Sequence, residues 1–181
     1  MLEFDPIEEA GRQWEAHFGA AYVAPMRTVT SVMRVQQVWL ARLNDALAQH
    51  GLTFARYEAL MLLFFSRAGA LPLGKIGARL QVHPASVTNL IDGLERDGLV
   101  VREPHPHDRR TTLARITTAG RARAEAATAT LHAIRFGTDL PEPELETVTT
   151  ILRRARIEAG DFDAAAGRGK SGRRKAEPGN K

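Results

Sequence analysis

The chain has 181 residues, 44% of them hydrophobic, and a formal net charge of +4, which allows one domain with a true core and a mild preference for polyanions. It has no cysteine, which excludes disulfides, thiolate metal sites and a thiol redox sensor. No apolar run approaches the ~18–20 residues that cross a bilayer, and the acidic start (Glu3, Asp5, Glu8, Glu9) carries no signal-peptide core, so no membrane partner and a cytoplasmic location are expected.

In chain order, Ile7 to Gly19 reads as a short helix, because Ile7, Gly11, Trp14 and Phe18 recur on one face. Pro25 suits a helix start. Met26 to His50 follows as a long helix, with Val29, Met33, Gln36, Leu40, Leu43 and Leu47 as its stripe and Gly51 as its stop. Thr53 is the expected N-cap for Phe54 to Arg67, a helix apolar enough to be buried on most sides. Gly69 to Pro72 breaks the pattern and has room for one short strand. Leu73 to Leu80 and Pro84 to Asp97 are two further helices, the second stopped by Gly98. Leu99 to Glu103 and Thr111 to Ile116 read as two strands of a hairpin joined through Pro104 to Arg110. Thr118 to about Phe136 is an alanine-rich helix, and Leu140-Pro141-Glu142 opens a last one with Leu145, Val148, Leu152 and Ala155 in line. From Asp161 the apolar period is lost. Arg168, Lys170, Arg173, Arg174, Lys175 and Lys181 there stand against Asp161, Asp163 and Glu177, so this tail carries +3 of the +4 and is expected to be disordered.

Helix, tight turn, helix and charged hairpin in succession form a winged helix-turn-helix, which presents its second helix to the DNA major groove. The fold class expected is mainly α with a small β-wing. In the first helix Leu73, Ile76, Gly77 and Leu80 face inward, Gly77 being small enough for two helices to approach closely. In the second, Val87, Leu90, Ile91 and Leu94 are the inner stripe, which leaves Ser86, Thr88 and Asn89 outward. Short hydroxyl and amide groups there reach base edges or phosphate, and Asn suits adenine. Pro84 presets the first turn, whose free amides favour phosphate. The ordinary alternative for these residues is a solvated helix face; their setting between a preceding helix and a hairpin favours DNA contact.

The wing tip reads His105-Pro106-His107-Asp108-Arg109-Arg110. Arg110 is the candidate for insertion into a narrow minor groove, with Asp108 bracing its guanidinium. Arg109 or Arg102 is assigned to phosphate, and His107 lies within the same contact surface. A merely solvated charged turn is the competing reading. His105 and His107 have no third metal ligand fixed by spacing, and no metal site is expected.

Four blocks together carry a resemblance: GLTFARYEALMLL at 51–63, LGKIGARL at 73–80, HPASVTNLIDGLERDGLVVR at 83–102 and HDRRTTLARITTAG at 107–120. The chain resembles the multiple antibiotic resistance regulator (MarR) family over roughly Met26 to Ala159. The resemblance implies a homodimer of interleaved N- and C-terminal helices, double-stranded DNA with a palindromic operator as partner, usually repression, and release by a small effector or by oxidation; without cysteine the effector route remains. It implies residues 1–24 as an extra N-terminal helix, 25–52 as a dimerisation helix, 53–117 as the DNA-binding domain, 118–160 as C-terminal dimerisation helices and 161–181 as a basic tail. Gly93 departs from the family, standing where a basic residue is frequent. It costs about 0.5–1 kcal/mol relative to Ala in mid-helix and forgoes a phosphate contact.

The N-terminal helix resembles that of the subgroup responding to urate or tricarboxylates. Carried over from that subgroup, Trp14, Glu58 and Arg102 would line a site for an anionic or aromatic effector, while Asn89 replaces the subgroup's recognition-helix arginine and points to an acid other than urate. Arg27, or Arg34, is a second candidate for holding an anion. Helix packing for Trp14 and solvent exposure for Glu58 and Arg27 are the plainer alternatives. No resident cofactor is expected. No nucleophile elbow, phosphate loop or paired His–carboxylate arrangement marks an enzyme. The alternative function is an architectural or protein-binding winged-helix protein that holds DNA non-specifically through wing and tail.

Overall fold

A computed structural model describes residues 2–163, apart from the side chain of Arg109. The tail expected beyond Asp161 therefore lies outside the described residues from position 164 onward. The chain divides after Thr138 into two units.

The first unit opens with α1 (Pro6–Phe18), capped by Asp5, whose carboxylate accepts from the amide of Ile7 at 2.8 Å. A turn leads into α2 (Val23–Ala48). This helix begins before the expected Met26, because Pro25 in a first turn forfeits no helical hydrogen bond. Its expected stripe is buried only at the far end, Leu43 and Leu47; Val29 and Met33 are 58% and 62% exposed. α3 (Phe54–Phe64) is capped by Thr53, whose hydroxyl accepts from the amide of Arg56 at 3.3 Å. It stops short of the expected Arg67, since Ser66 Oγ donates to Leu63 O at 2.9 Å and the chain reverses at Gly69, φ 64°. Tyr57, Ala59, Leu60 and Leu63 are buried, but Phe65 is 75% exposed, so α3 is covered on fewer sides than expected.

β1 (Ala70–Pro72) leads directly into α4 (Leu73–Leu80), followed by α5 (Pro84–Arg96). β2 (Val100–His105) and β3 (Asp108–Ile116) form the hairpin, and the antiparallel sheet has the order β1-β3-β2. Pairing runs from Val100 with Ile116 to His105 with Asp108. The wing strands are thus longer than expected, and only Pro106 and His107 remain between them. Pro104, which cannot donate to a ladder, is tolerated because β2 is an edge strand. α6 (Thr118–Ala133) ends earlier than the expected Phe136, where Arg135, Phe136 and Gly137 all take positive φ and reverse the chain.

The core joins Leu47, Leu60, Leu63, Ile76, Ile91, Leu94, Leu99, Val100 and Leu131. It therefore ties α2, α3 and α6 to the helix-turn-helix and the base of the wing. The second unit holds α7 (Glu142–Glu158), none of whose residues is buried; of its expected stripe, Leu145 and Val148 are half-buried and Leu152 and Ala155 are exposed. Within that unit Phe162 lies under the guanidinium of Arg156, 5.1 Å from the ring centre, and Arg156 bonds Asp161 at 2.6 Å. Among the described residues no helix is long and apolar enough to cross a membrane.

Candidate nucleic-acid interface

α5 is presented by tight packing on its inner side. Val87, Ile91 and Leu94 are buried, and a Cβ on Gly77 of α4 would stand 3.0 Å from Val87 Cγ2, so the two helices meet as closely as the sequence implies. Ser86, Thr88 and Asn89 are all exposed. Thr88 donates back to the carbonyl of Pro84 at 3.3 Å, which leaves its oxygen able to accept. Ser86 and Asn89 keep their side-chain hydrogen-bonding capacity for a partner. Pro84 occupies the first turn, and His83, which the sequence pattern did not single out, caps it: His83 Nδ1 accepts from the amide of Ala85 at 3.2 Å. The signal was the residue type just before Pro84, but a histidine cap is uncommon enough to be missed.

The wing is held differently from expectation. Asp108 Oδ1 accepts from the backbone amide of Arg110 at 3.0 Å, and Oδ2 accepts from Thr111 Oγ1 at 2.7 Å. The Thr111 hydroxyl and then that amide hold the Asp108 carboxyl below its ordinary range. Asp108 thus braces the backbone of the turn and not the guanidinium of Arg110. Arg110 itself is exposed. Arg109 lies within β3, and His107, also exposed, donates its amide to His105 Nδ1 at 3.3 Å.

Arg102 is the larger correction. Its guanidinium reaches back from β2 to α5, with Nη2 2.6 Å from Asp92 Oδ1 and Nη1 on Glu95 Oε2. Its amide donates to Glu95 Oε1 at 2.9 Å. Partial burial works against its charge, but Glu95 and Asp92 together hold its pKa above the ordinary value. An arginine so engaged fixes the wing to the recognition helix, and a phosphate or an effector acid there would compete with Asp92 and Glu95 for it. Asp92 and Glu95 escaped the sequence reading because their partner is remote in the pattern and becomes adjacent only when the hairpin folds back.

Gly93 is buried, and a Cβ there would lie 2.5 Å from the guanidinium carbon of Arg56, which comes from α3. The departure from the family pattern is thus filled by a neighbouring cation.

The four expected effector residues fall in three places. Trp14, 40% exposed, leans on Phe18 with ring centres 5.1 Å apart. Arg27 crosses Gly11 and pairs with Glu8 at 2.7 Å, its Nε buried without a hydrogen-bond partner. Both therefore belong to the α1–α2 layer. Glu58 sits on α3, where helical spacing flanks it with Phe54, Met61, Leu62 and Phe65; it is exposed, as its plainer reading has it, and partial desolvation by its surroundings raises its carboxyl above the ordinary range. Arg102 is bound to α5. Among the described residues no hydrogen bond or ion pair joins any two of these four. An open, mostly apolar groove of about 320 Å³ runs between α3 and α6, lined by Met61, Phe64, Phe65, Glu125, Thr128 and His132 among others. Among the described residues no cluster of three or more His, Asp or Glu is placed to hold a metal ion.

Three comparisons bear on this geometry. Residues 50–111 match the sequence model of the MarR family. The chain is 40% identical over 78 residues to the HTH-type transcriptional repressor YetL of Bacillus subtilis, 43% of this chain and 47% of that protein, so the match spans about half of that relative's length. It is 32% identical over 123 residues to the HTH-type transcriptional regulator MhqR of the same organism, 66% of this chain and 83% of MhqR. Among solved structures, Sco5413, a MarR family transcriptional regulator from Streptomyces coelicolor, superposes with a TM-score of 0.73 at 49% identity, covering 78% of this chain and 99% of that one.

Proposed function

The chain belongs to the MarR family of DNA-binding transcriptional regulators and not to an enzyme family, and from that premise we propose that it is a repressor that binds a palindromic operator as a homodimer and leaves it when a small anionic or aromatic effector binds. The observation that carries this reading is the outward row of α5. Ser86 and Asn89 stand exposed while Val87, Ile91 and Leu94 are buried, and Arg102 locks that helix to a wing on which Arg110 is exposed. Base edges are then read by Ser86, Thr88 and Asn89, phosphate is met at the Pro84 turn and by Arg109 and His107, and Arg110 enters the minor groove.

Dimerisation is supported by the exposed apolar residues of the first unit's N-terminal helices: Phe18, Val29 and Met33 are 69%, 58% and 62% exposed. Stripes of this size on a single chain mark a surface made for a partner. Residues 25–52 and 118–160 are the dimerisation segments in this reading, and 53–117 reads DNA. Two half-sites then lie about one DNA turn apart, ~34–36 Å.

For the effector, Glu58 and the groove between α3 and α6 are the best-supported place, because Met61 and Phe65 lie one and two turns on from Glu58 and line that groove. The apolar floor of the groove suits an aromatic ring. Trp14 and Arg27, in the α1–α2 layer, are a separate candidate place for an anionic effector. The subgroup that responds to urate or tricarboxylates remains the finer reading for α1.

The test is a titration of the purified protein against duplex DNA from its own upstream region and a scrambled duplex at two salt concentrations, with light scattering for oligomeric state. A dimer that prefers the native duplex at the higher salt supports the proposal. Equal, salt-sensitive binding to both duplexes favours the architectural alternative instead.

A further inference from the structure

The recognition helix has a row that the sequence leaves incomplete. Ser86, Asn89 and Gly93 fall within about 60° of one another around α5, from the 3.6-residue period. The first two are exposed, whereas Gly93, on the same side, is buried. It is buried because Arg56 lies over it: all three nearest atoms to a Cβ built on Gly93 belong to the Arg56 guanidinium. Absence of a side chain at 93 is therefore what seats an arginine from α3 on the row that faces DNA.

The seated group is under-used within the chain. Among the described residues its one hydrogen bond runs from Nη1 to Asp97 Oδ2 at 3.5 Å, at the limit of such a contact, and the side chain is 28% exposed. A guanidinium carries five N–H donors, so most of them remain for an outside acceptor. Of the carboxylates along α5 and its cap, Asp97 makes that one long contact, while Asp92 and Glu95 are held by Arg102.

We infer that Arg56, seated in the notch of Gly93, is a phosphate-binding residue of the operator interface and supplies there the positive charge that position 93 itself lacks. The inference rests on the DNA-binding reading above. Gly93 is then a positioning residue.

The experiment is the dependence of DNA affinity on salt for the full chain, with thermal melting as a check on folding. One phosphate contact contributes about 0.9 to the slope of log K against log salt. Arg56→Gln should reduce the slope by about 0.9 per subunit, equally on native and scrambled duplexes. Gly93→Ala should do the same although Arg56 is retained, because its Cβ takes the seat. The double variant Arg56→Ala with Gly93→Arg should restore the slope by returning the charge to the helix. If Arg56→Gln folds and binds with an unchanged slope, or the double variant restores nothing, Arg56 is only a clip between α3 and α5 and the inference falls. If the wild-type protein binds neither duplex, the DNA-binding reading fails and takes the inference with it. Native-duplex binding with an unaltered slope in Arg56→Gln defeats the inference alone.

Discussion

Replacing Arg102 by methionine keeps most of its stem and removes its charge, and the structure sets the consequence. Two carboxylates lose their partner: Asp92 at 2.6 Å and Glu95, which also retains the amide of residue 102. Arg102 is 25% exposed, but Asp92 and Glu95 are 47% and 38% exposed, so water screens both pairs. Each pair is then worth roughly 0.2–1 kcal/mol as a partly exposed bridge. The orphaned carboxylates, three residues apart on one helix, add a few tenths of a kcal/mol of repulsion. The sum is about 0.5–2.5 kcal/mol, and it should shrink at high salt. DNA affinity should fall as well, because the wing is no longer tied to α5 and two acidic groups are left uncompensated on the recognition helix. The assay is a double-mutant cycle in urea of Arg102→Met and Asp92→Asn, with operator affinity measured on all four proteins. A coupling near 0.5–1 kcal/mol is expected, with affinity partly recovered in the double variant. Strict additivity, within the ~0.3–0.5 kcal/mol seen for independent sites, would refute the proposed knot.

Three further expectations follow from single contacts. Arg110→Ala should weaken operator binding by about 1–3 kcal/mol while leaving the urea midpoint unchanged, since its side chain is exposed and bonds to none of the described residues; full affinity in a mobility-shift titration would contradict the wing assignment. Glu58→Gln should stabilise the protein with a definite pH sign: partial desolvation raises the Glu58 carboxyl in the folded state, so the folded protein binds the proton more tightly than the unfolded chain and loses stability as pH rises through the carboxylate range. The variant should therefore gain over wild type above that range and match it at low pH, as urea midpoints at several pH values would reveal; a difference independent of pH would rule out the ionised carboxyl as its cause. Gly120→Ala should destabilise by about 1–3 kcal/mol despite alanine's better helix propensity, because the new Cβ collides with the Leu99 carbonyl oxygen and meets Ile116 Cγ1 at 2.9 Å; calorimetry showing a higher melting temperature would mean that α6 and β2 can separate without loss.

Periodicity and stop signals in the chain determined the helix-turn-helix, its wing and the outward row Ser86, Thr88 and Asn89. These are local features: a 3.6-residue stripe, a proline at a first turn and a glycine at positive φ act within a few residues of themselves. Helix lengths and the wing were less legible, since Ser66 back-bonding ended α3 early and strand pairing carried the hairpin out to His105 and Asp108. Who holds whom was left to tertiary structure. Arg102 looked like a free cation until β2 folded against α5 and brought it to Asp92 and Glu95. Gly93 looked like a deficit until α3 laid Arg56 across it. Asp108 looked like a brace for a side chain and turned out to brace the backbone of its own turn. Charged groups pair by distance in space, and sequence separations such as the 41 residues between Arg56 and Asp97 carry no pattern that a helical or strand period could disclose.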